Sequence, residues 1–304
     1  MKNFLLPCLL VLFMFNACNN QPDTKYFDEA NAKYNAGNFK EAVAGYDKAI
    51  EQDEKNHEAY SKRGSAKAEL GDLKGAVADF DKAIALKPDF AVAYYNRGLA
   101  YYRLNNFDAS IADYRKAIEL KPDFADAYNN LGIAKAESGN YKESIEDFNK
   151  AISYKPTFAM AYLNRADSRH ETGDFIGEIE DYNKYIELTP GDANAYYNRG
   201  AANFSNKNYD GAIADYDKAI ELKPDFADAY YNRALAKNET GDYKGEMQDY
   251  NKTIELKPSH GEAFINRAAA KLEVGDKTGA CADFRKALEL GVVNGQESVK
   301  EYCQ

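Results

Sequence analysis

The chain has 304 residues, 45% of them hydrophobic, and its 39 Lys and Arg face 49 Asp and Glu for a formal net charge of −10 at pH 7. That is enough apolar material for a large folded body. The acidic balance argues against a nucleic-acid backbone as partner and favours basic or neutral ligands.

The first element is not part of that body. MKNFLLPCLLVLFMFNAC carries one charge, Lys2, then an apolar run from Phe4 to Phe15, and Ala17 before Cys18. Twelve residues rise only ~18 Å as a helix, too short for a ~30 Å hydrocarbon core, so a secretion signal fits better than a membrane span. A small residue followed by Cys resembles a bacterial lipoprotein signal, although Phe15 and Asn16 depart from the usual pattern. The resemblance implies removal of residues 1–17, acylation of Cys18, and a short tether over 18–22 that holds the protein at a membrane of the cell envelope. An ordinary signal peptide with an incidental cysteine is the alternative. Without Lys2 the charge is 38 against 49, a net of −11.

From residue 23 the chain is periodic. The octapeptide KPDFADAY starts at Lys121 and again at Lys223, 102 residues later, which is three times 34. Pro88, Pro122, Pro156, Pro190, Pro224 and Pro258 keep the same 34-residue spacing without an insertion. They divide the chain into eight units, 23–56, 57–90, 91–124, 125–158, 159–192, 193–226, 227–260 and 261–294. The first and last have Glu54 and Val292 at the proline place.

Apolar spacing predicts two amphipathic helices per unit. A mid-unit glycine, such as Gly173 or Gly241, ends the first helix through a left-handed residue. Asn105 and Lys207 stand at that place in two units, and Lys207 should carry strain there. The next residue is always Asn or Asp, Asn38 through Asp276, a good N-cap for the second helix. Proline ends the second helix, and Asp123, Thr157 or Asp225 behind it is positioned to cap the next first helix. Small residues (Gly64, Gly98, Gly132 and Gly200 in first helices; Ala83, Ala117, Ala151 and Ala219 in second) mark close approach, and rings such as Tyr162 and Tyr216 fill the space between. Tyr185, where other units have Ala, should force a local opening or bulge. One helix pair cannot bury such faces alone, so neighbours must stack.

This pattern of small, aromatic and proline residues resembles the tetratricopeptide repeat family over residues 23–294. The resemblance implies an all-α fold, a right-handed superhelical α-solenoid whose first helices line a concave groove. Two departures stand out. The usual first-helix Trp is always Tyr or Phe, and an Arg replaces the usual Leu at positions 63, 97, 165, 199, 233 and 267. In the same six units an Asp precedes the second-helix ring, from Asp79 to Asp283, so a ladder of partly buried Arg–Asp pairs is expected. A series of phosphate-binding arginines is the alternative.

No catalytic constellation is present. His57, His170 and His260 sit in different units without partners at ligand spacing, no glycine-rich phosphate loop follows a strand, and neither cofactor nor metal is expected. Cys281 and Cys303 are the last two thiols, and an oxidising compartment predicts a disulfide between them. It would pin a short C-terminal capping helix over 295–304; two buried free thiols are the alternative. In the groove that the resemblance implies, Asn96, Asn130, Asn164, Asn198, Asn232 and Asn266 recur one residue before the Arg place. Their amides, flanked by Tyr95, Tyr197 and Tyr231, could pair with the backbone of an extended peptide, or could simply bridge neighbouring helices. Glu137, Glu171, Glu239 and Glu273 farther along favour segments mixing apolar and basic residues. The reading is a non-enzymatic interaction scaffold for a protein or peptide partner, with no nucleic acid. Carbohydrate binding by the groove tyrosines is the runner-up, and an enzyme site spanning repeats a third possibility.

Overall fold

The structure, a computed structural model, describes residues 24–292 and 294–303. The proposed signal, Cys18 and the tether lie outside the described residues. Among those residues the secondary structure is helical throughout, and no helix is long and apolar enough to cross a membrane. Two compact units divide between Asn96 and Arg97.

The first unit contains α1 (Lys25–Asn35), α2 (Phe39–Gln52), α3 (His57–Glu69), α4 (Leu73–Leu86) and the start of α5 (Ala91–Arg103). The second holds the rest of α5, then α6 (Phe107–Leu120), α7 (Ala125–Glu137), α8 (Tyr141–Tyr154), α9 (Ala159–Thr172), α10 (Phe175–Leu188) and α11 (Ala193–Ser205). It continues with α12 (Tyr209–Leu222), α13 (Ala227–Thr240), α14 (Tyr243–Leu256), α15 (Gly261–Glu273), α16 (Lys277–Glu289) and α17 (Asn294–Tyr302). Helices α1 to α4 pack each on the next, as do α6 to α17, so each unit is a run of an α-solenoid.

The core follows the small-and-ring alternation. The second-helix rings Tyr46, Phe80, Tyr114, Phe148, Tyr182, Tyr216, Tyr250 and Phe284 are all buried, most of them completely. Gly200 shows why a first helix needs a residue without Cβ: an added Cβ would sit 2.8 Å from Cε1 of Tyr216. Left-handed residues end the first helices, with Gly173 at φ 75° and Gly241 at 79°, while Asn105 (58°) and Lys207 (61°) hold the same conformation without glycine's freedom.

Two local expectations fail. Asp123, Thr157 and Asp225 do not cap the first helices. The N-cap falls one residue later, on Phe124, Phe158 and Phe226, without a side-chain bond. Those rings are instead covered by Lys121, Lys155 and Lys223, whose Nζ atoms lie 4.7, 4.4 and 4.6 Å from the ring centres. Nor does Tyr185 open the fold. Helix α10 runs unbroken from Phe175 to Leu188, and the ring is buried against Tyr162, Tyr182, Ile186 and Ala195. Asp192 stands where four other units have Phe, so the ring occupies that space and donates its hydroxyl to Asp192 Oδ2 at 3.0 Å.

The Arg–Asp ladder is present and reaches further than expected. Arg63 grips Asp79 with Nε (2.9 Å) and Nη2 (2.6 Å), and its Nη1 reaches back to Asp47 of the preceding repeat at 2.6 Å. Arg199 pairs in the same way with Asp215 and, through Nη1, with Asn183 at 2.7 Å. Arg267 joins Asp283 to Asn251 at 2.7 Å. Each such guanidinium therefore ties two successive second helices, using the fork of donors that lysine lacks. A second basic residue one turn on, Lys67, Arg169, Lys237 or Lys271, shares the same aspartate.

Candidate functional site: acidic clefts on the first helices

The asparagine row looks sideways, from repeat to repeat. Asn164 donates its Nδ2 to Asn129 Oδ1 at 3.0 Å, Asn232 to the Tyr197 hydroxyl at 2.8 Å, and Asn266 to the Tyr231 hydroxyl at 3.0 Å. Each acceptor lies 35 residues back. In the first unit Asn96 faces Ser65 Oγ at 3.5 Å, and Tyr95 is half-buried. Asn130 accepts from Asn129 Nδ2 at 3.2 Å. The donor half of these amides thus bridges neighbouring first helices. The two tyrosines are equally engaged: Tyr197 packs against Tyr216 and Phe226, and Tyr231 against Tyr250 and His260.

Asn164 and Asn198 of the row open onto clefts. A cleft of about 310 Å³ lies between α7, α8 and α9, lined among others by Glu137, Asn164, Asp167, Ser168 and Glu171. A second of about 260 Å³ follows between α9, α10 and α11, lined by Asp167, His170, Glu171, Glu178, Tyr182, Asn198 and Ala201. The clefts share Asp167 and Glu171, and neither is lined by a lysine or arginine. His170 is the one basic group among the linings, with Nδ1 3.1 Å from Glu178 Oε2.

The electrostatics are those of an undercompensated acidic surface. Burial pushes the Glu178 carboxyl above its ordinary range, against the pull of His170, and Asp167 adds to the rise. Asp167 is itself raised, first by desolvation and in spite of the hydrogen bond it accepts from the Tyr182 hydroxyl at 3.3 Å. Burial drives the Tyr182 hydroxyl strongly upward as well. A cationic group entering either cleft would meet carboxylates that lack a strong counter-charge.

Glu178 and Asp167 escaped the sequence reading, although a signal exists for Glu178. Its place in the second helix is Ala42, Ala76, Ser110, Ser144, Ala212 or Ala280 in other units, and only Glu246 repeats the acid. Both glutamates are buried, and each faces a polar residue from the first helix, His170 for Glu178 and Asn238 for Glu246. Among the described residues no group of three or more His, Cys, Asp or Glu is placed to hold a metal ion. Cys281 and Cys303 are joined by a disulfide, with Cα atoms 5.4 Å apart.

Models of the TPR repeat match residues 30–71, 64–105 and 100–139, and models of the tetratricopeptide repeat match 125–158, 193–226 and 215–248. The chain belongs to the tetratricopeptide repeat family. No curated protein matches it. Among solved structures, the C-terminal part of a TPR repeat-containing protein from Cytophaga hutchinsonii superposes with a TM-score of 0.67 at 22% identity, over 76% of this chain and 97% of that one. YrrB, a TPR protein with an unusual peptide-binding site, gives 0.55 at 24% identity over 60% and 95%. MamA gives 0.50 at 30% identity over 54% and 90%. Such likenesses carry the tetratricopeptide fold, whose repeats serve in general as protein-interaction scaffolds.

Proposed function

We propose that this tetratricopeptide repeat protein is a non-enzymatic scaffold that binds an extended, lysine- or arginine-bearing segment of a partner protein along α7, α9 and α11. The observation that carries the reading is the pair of clefts sharing Asp167 and Glu171, acid-lined and without lysine or arginine. A cationic side chain in each cleft would find charge-assisted acceptors, while the apolar neighbours Ile133 and Ala201 contact the stems. Recognition through Asn164 and Asn198 is secondary, because Asn164 already donates to Asn129. Carbohydrate stacking finds little support, since Tyr197 and Tyr231 pack against rings of their own fold.

The test uses arrays of extended peptides, basic and acidic, against the full chain and the triple variant Glu137→Gln, Asp167→Asn, Glu171→Gln. Basic peptides should bind the wild type at low salt, weaken as salt rises, and lose at least about tenfold in affinity in the variant, for ~1.4 kcal/mol or more. Equal binding to both proteins, or none to either, refutes the reading.

The setting we propose is the bacterial cell envelope, with a lipid anchor on Cys18. The support is the apolar run to Phe15 followed by Ala17 and Cys18. Cells grown in labelled palmitate should label the wild type and not Cys18→Ala. An unlabelled wild type ends the anchor.

A further inference from the structure

In the unit that begins at Arg97, second helices are tied at four successive joints. Each time, the arginine of the intervening first helix holds the aspartate of its own repeat and reaches back to an Asn or Asp of the preceding one. Arg165 links Asn149 to Asp181, Arg199 links Asn183 to Asp215, Arg233 links Asp217 to Asp249, and Arg267 links Asn251 to Asp283. The joint between α6 and α7 is built from the same two places with both members exchanged. The arginine seat on α7 holds Leu131, buried at 4% exposure, and the acceptor seat on α6 holds Arg115, which is exposed. Asp147 on α8 remains, paired by Lys135 from its own repeat, and Arg115 attracts it through space without a hydrogen bond. No bridge of the kind found at the other four joints can form, because a leucine donates nothing and an arginine accepts nothing.

The exchange does more than delete a contact. Leu131 offers non-directional apolar packing, which tolerates sliding and tilting in a way that a planar, bidentate guanidinium does not. The four bridged joints resist the same movement, since parting the second helices there would break the hydrogen bond that each arginine makes to the Asn or Asp of the preceding repeat. We propose that the α6–α7 joint is the built-in flex point of this unit, at which the block from α7 onward opens from α6 before any other joint yields. The acidic clefts lie within that block, on α7 to α11, so opening here changes the direction in which they are presented without deforming their walls.

Hydrogen exchange of the full chain, read by mass spectrometry, tests the joint. In the wild type, amides of α6 and α7 should exchange at least about tenfold faster than those of α10 to α13. Rebuilding the bridge with Arg115→Asn and Leu131→Arg should slow α6 and α7 to the level of the other joints and leave α10 to α13 unchanged. The reverse graft, Asn183→Arg with Arg199→Leu, should create a second fast joint between α10 and α11. If the rebuilt protein fails to fold by circular dichroism, the wild-type pattern and the reverse graft decide. Equal protection of all joints in the wild type, or a reverse graft that leaves α10 and α11 as slow as before, overturns the proposal.

Discussion

Glu246 is 2% exposed, inside a second helix, with Asn238 Nδ2 donating to its Oε2 at 3.1 Å and, among the described residues, no ion pair. Burial raises its carboxyl above the ordinary value of 4.5, and Asp242 and Glu273 push the same way. A carboxyl raised in the folded state binds its proton more tightly there than in the unfolded chain. The stability tied to it is therefore present at low pH and is lost as pH rises from about 4.5 through the folded value. Glu246→Gln keeps an acceptor for Asn238 and removes the charge, so it should raise the melting temperature at pH 7, with the gain shrinking as the pH falls through the mildly acidic range. A variant that melts lower at pH 7 would show that the charge has a partner after all. The ladder aspartates stand in contrast: Asp79 and Asp283 are as deeply placed, yet each has an arginine and a lysine on it. The sequence made the ladder legible because both members repeat every 34 residues. It hid the clefts because Asp167 and Glu178 each break their own column, and a broken column looks like noise until the fold brings two of them together.

At the scale of the helix, caps and turns were readable wherever a single residue sets the backbone. Six of the eight expected second-helix caps, among them Asp72 and Asp276, accept from the backbone three residues on, whereas Asn38 and Asn140 form no such bond. First-helix starts were misjudged by one residue, since the turn before them is closed by a backbone bond from the Phe N–H to the Lys carbonyl, with the lysine laid over the ring, and neither has a signature in cap propensity. The terminal helix α17 depends on few contacts. Val299 and Cys303 pack beside Ala268, Ala280 and Phe284, and Tyr302 stacks on Phe284 at 6.1 Å. The disulfide closes a separation of 22 residues, which in the chain-entropy account contributes about 3 kcal/mol. Cys303→Ser should therefore free α17, with fast exchange of its amides, while α7 to α12 keep theirs. A loss of protection spread over the whole unit would mean that α17 supports more than the last repeat.

For the molecule as a whole, the fold class was readable because stacking of equal units repeats one small set of instructions, so that a misjudged position such as Tyr185 stays local. The division near Asn96 was not readable, since the 34-residue phase passes through it unchanged. The same uniformity creates a hazard during folding. Lys121–Tyr128 and Lys223–Tyr230 are identical in sequence, so the opening turns of α7 and α13 could each settle on the surface meant for the other. Backbone and apolar packing would barely distinguish the two. The residues just beyond do. Helix α7 docked beside α12 and α14 would set Leu131 against Asp217 and Asp249, leaving both without the guanidinium they hold in the native arrangement. Helix α13 docked beside α6 would press Arg233 toward Arg115. The single exchange of Arg and Leu thus gives otherwise equivalent repeats a polarity of address, and lets the growing stack reject a unit inserted out of order.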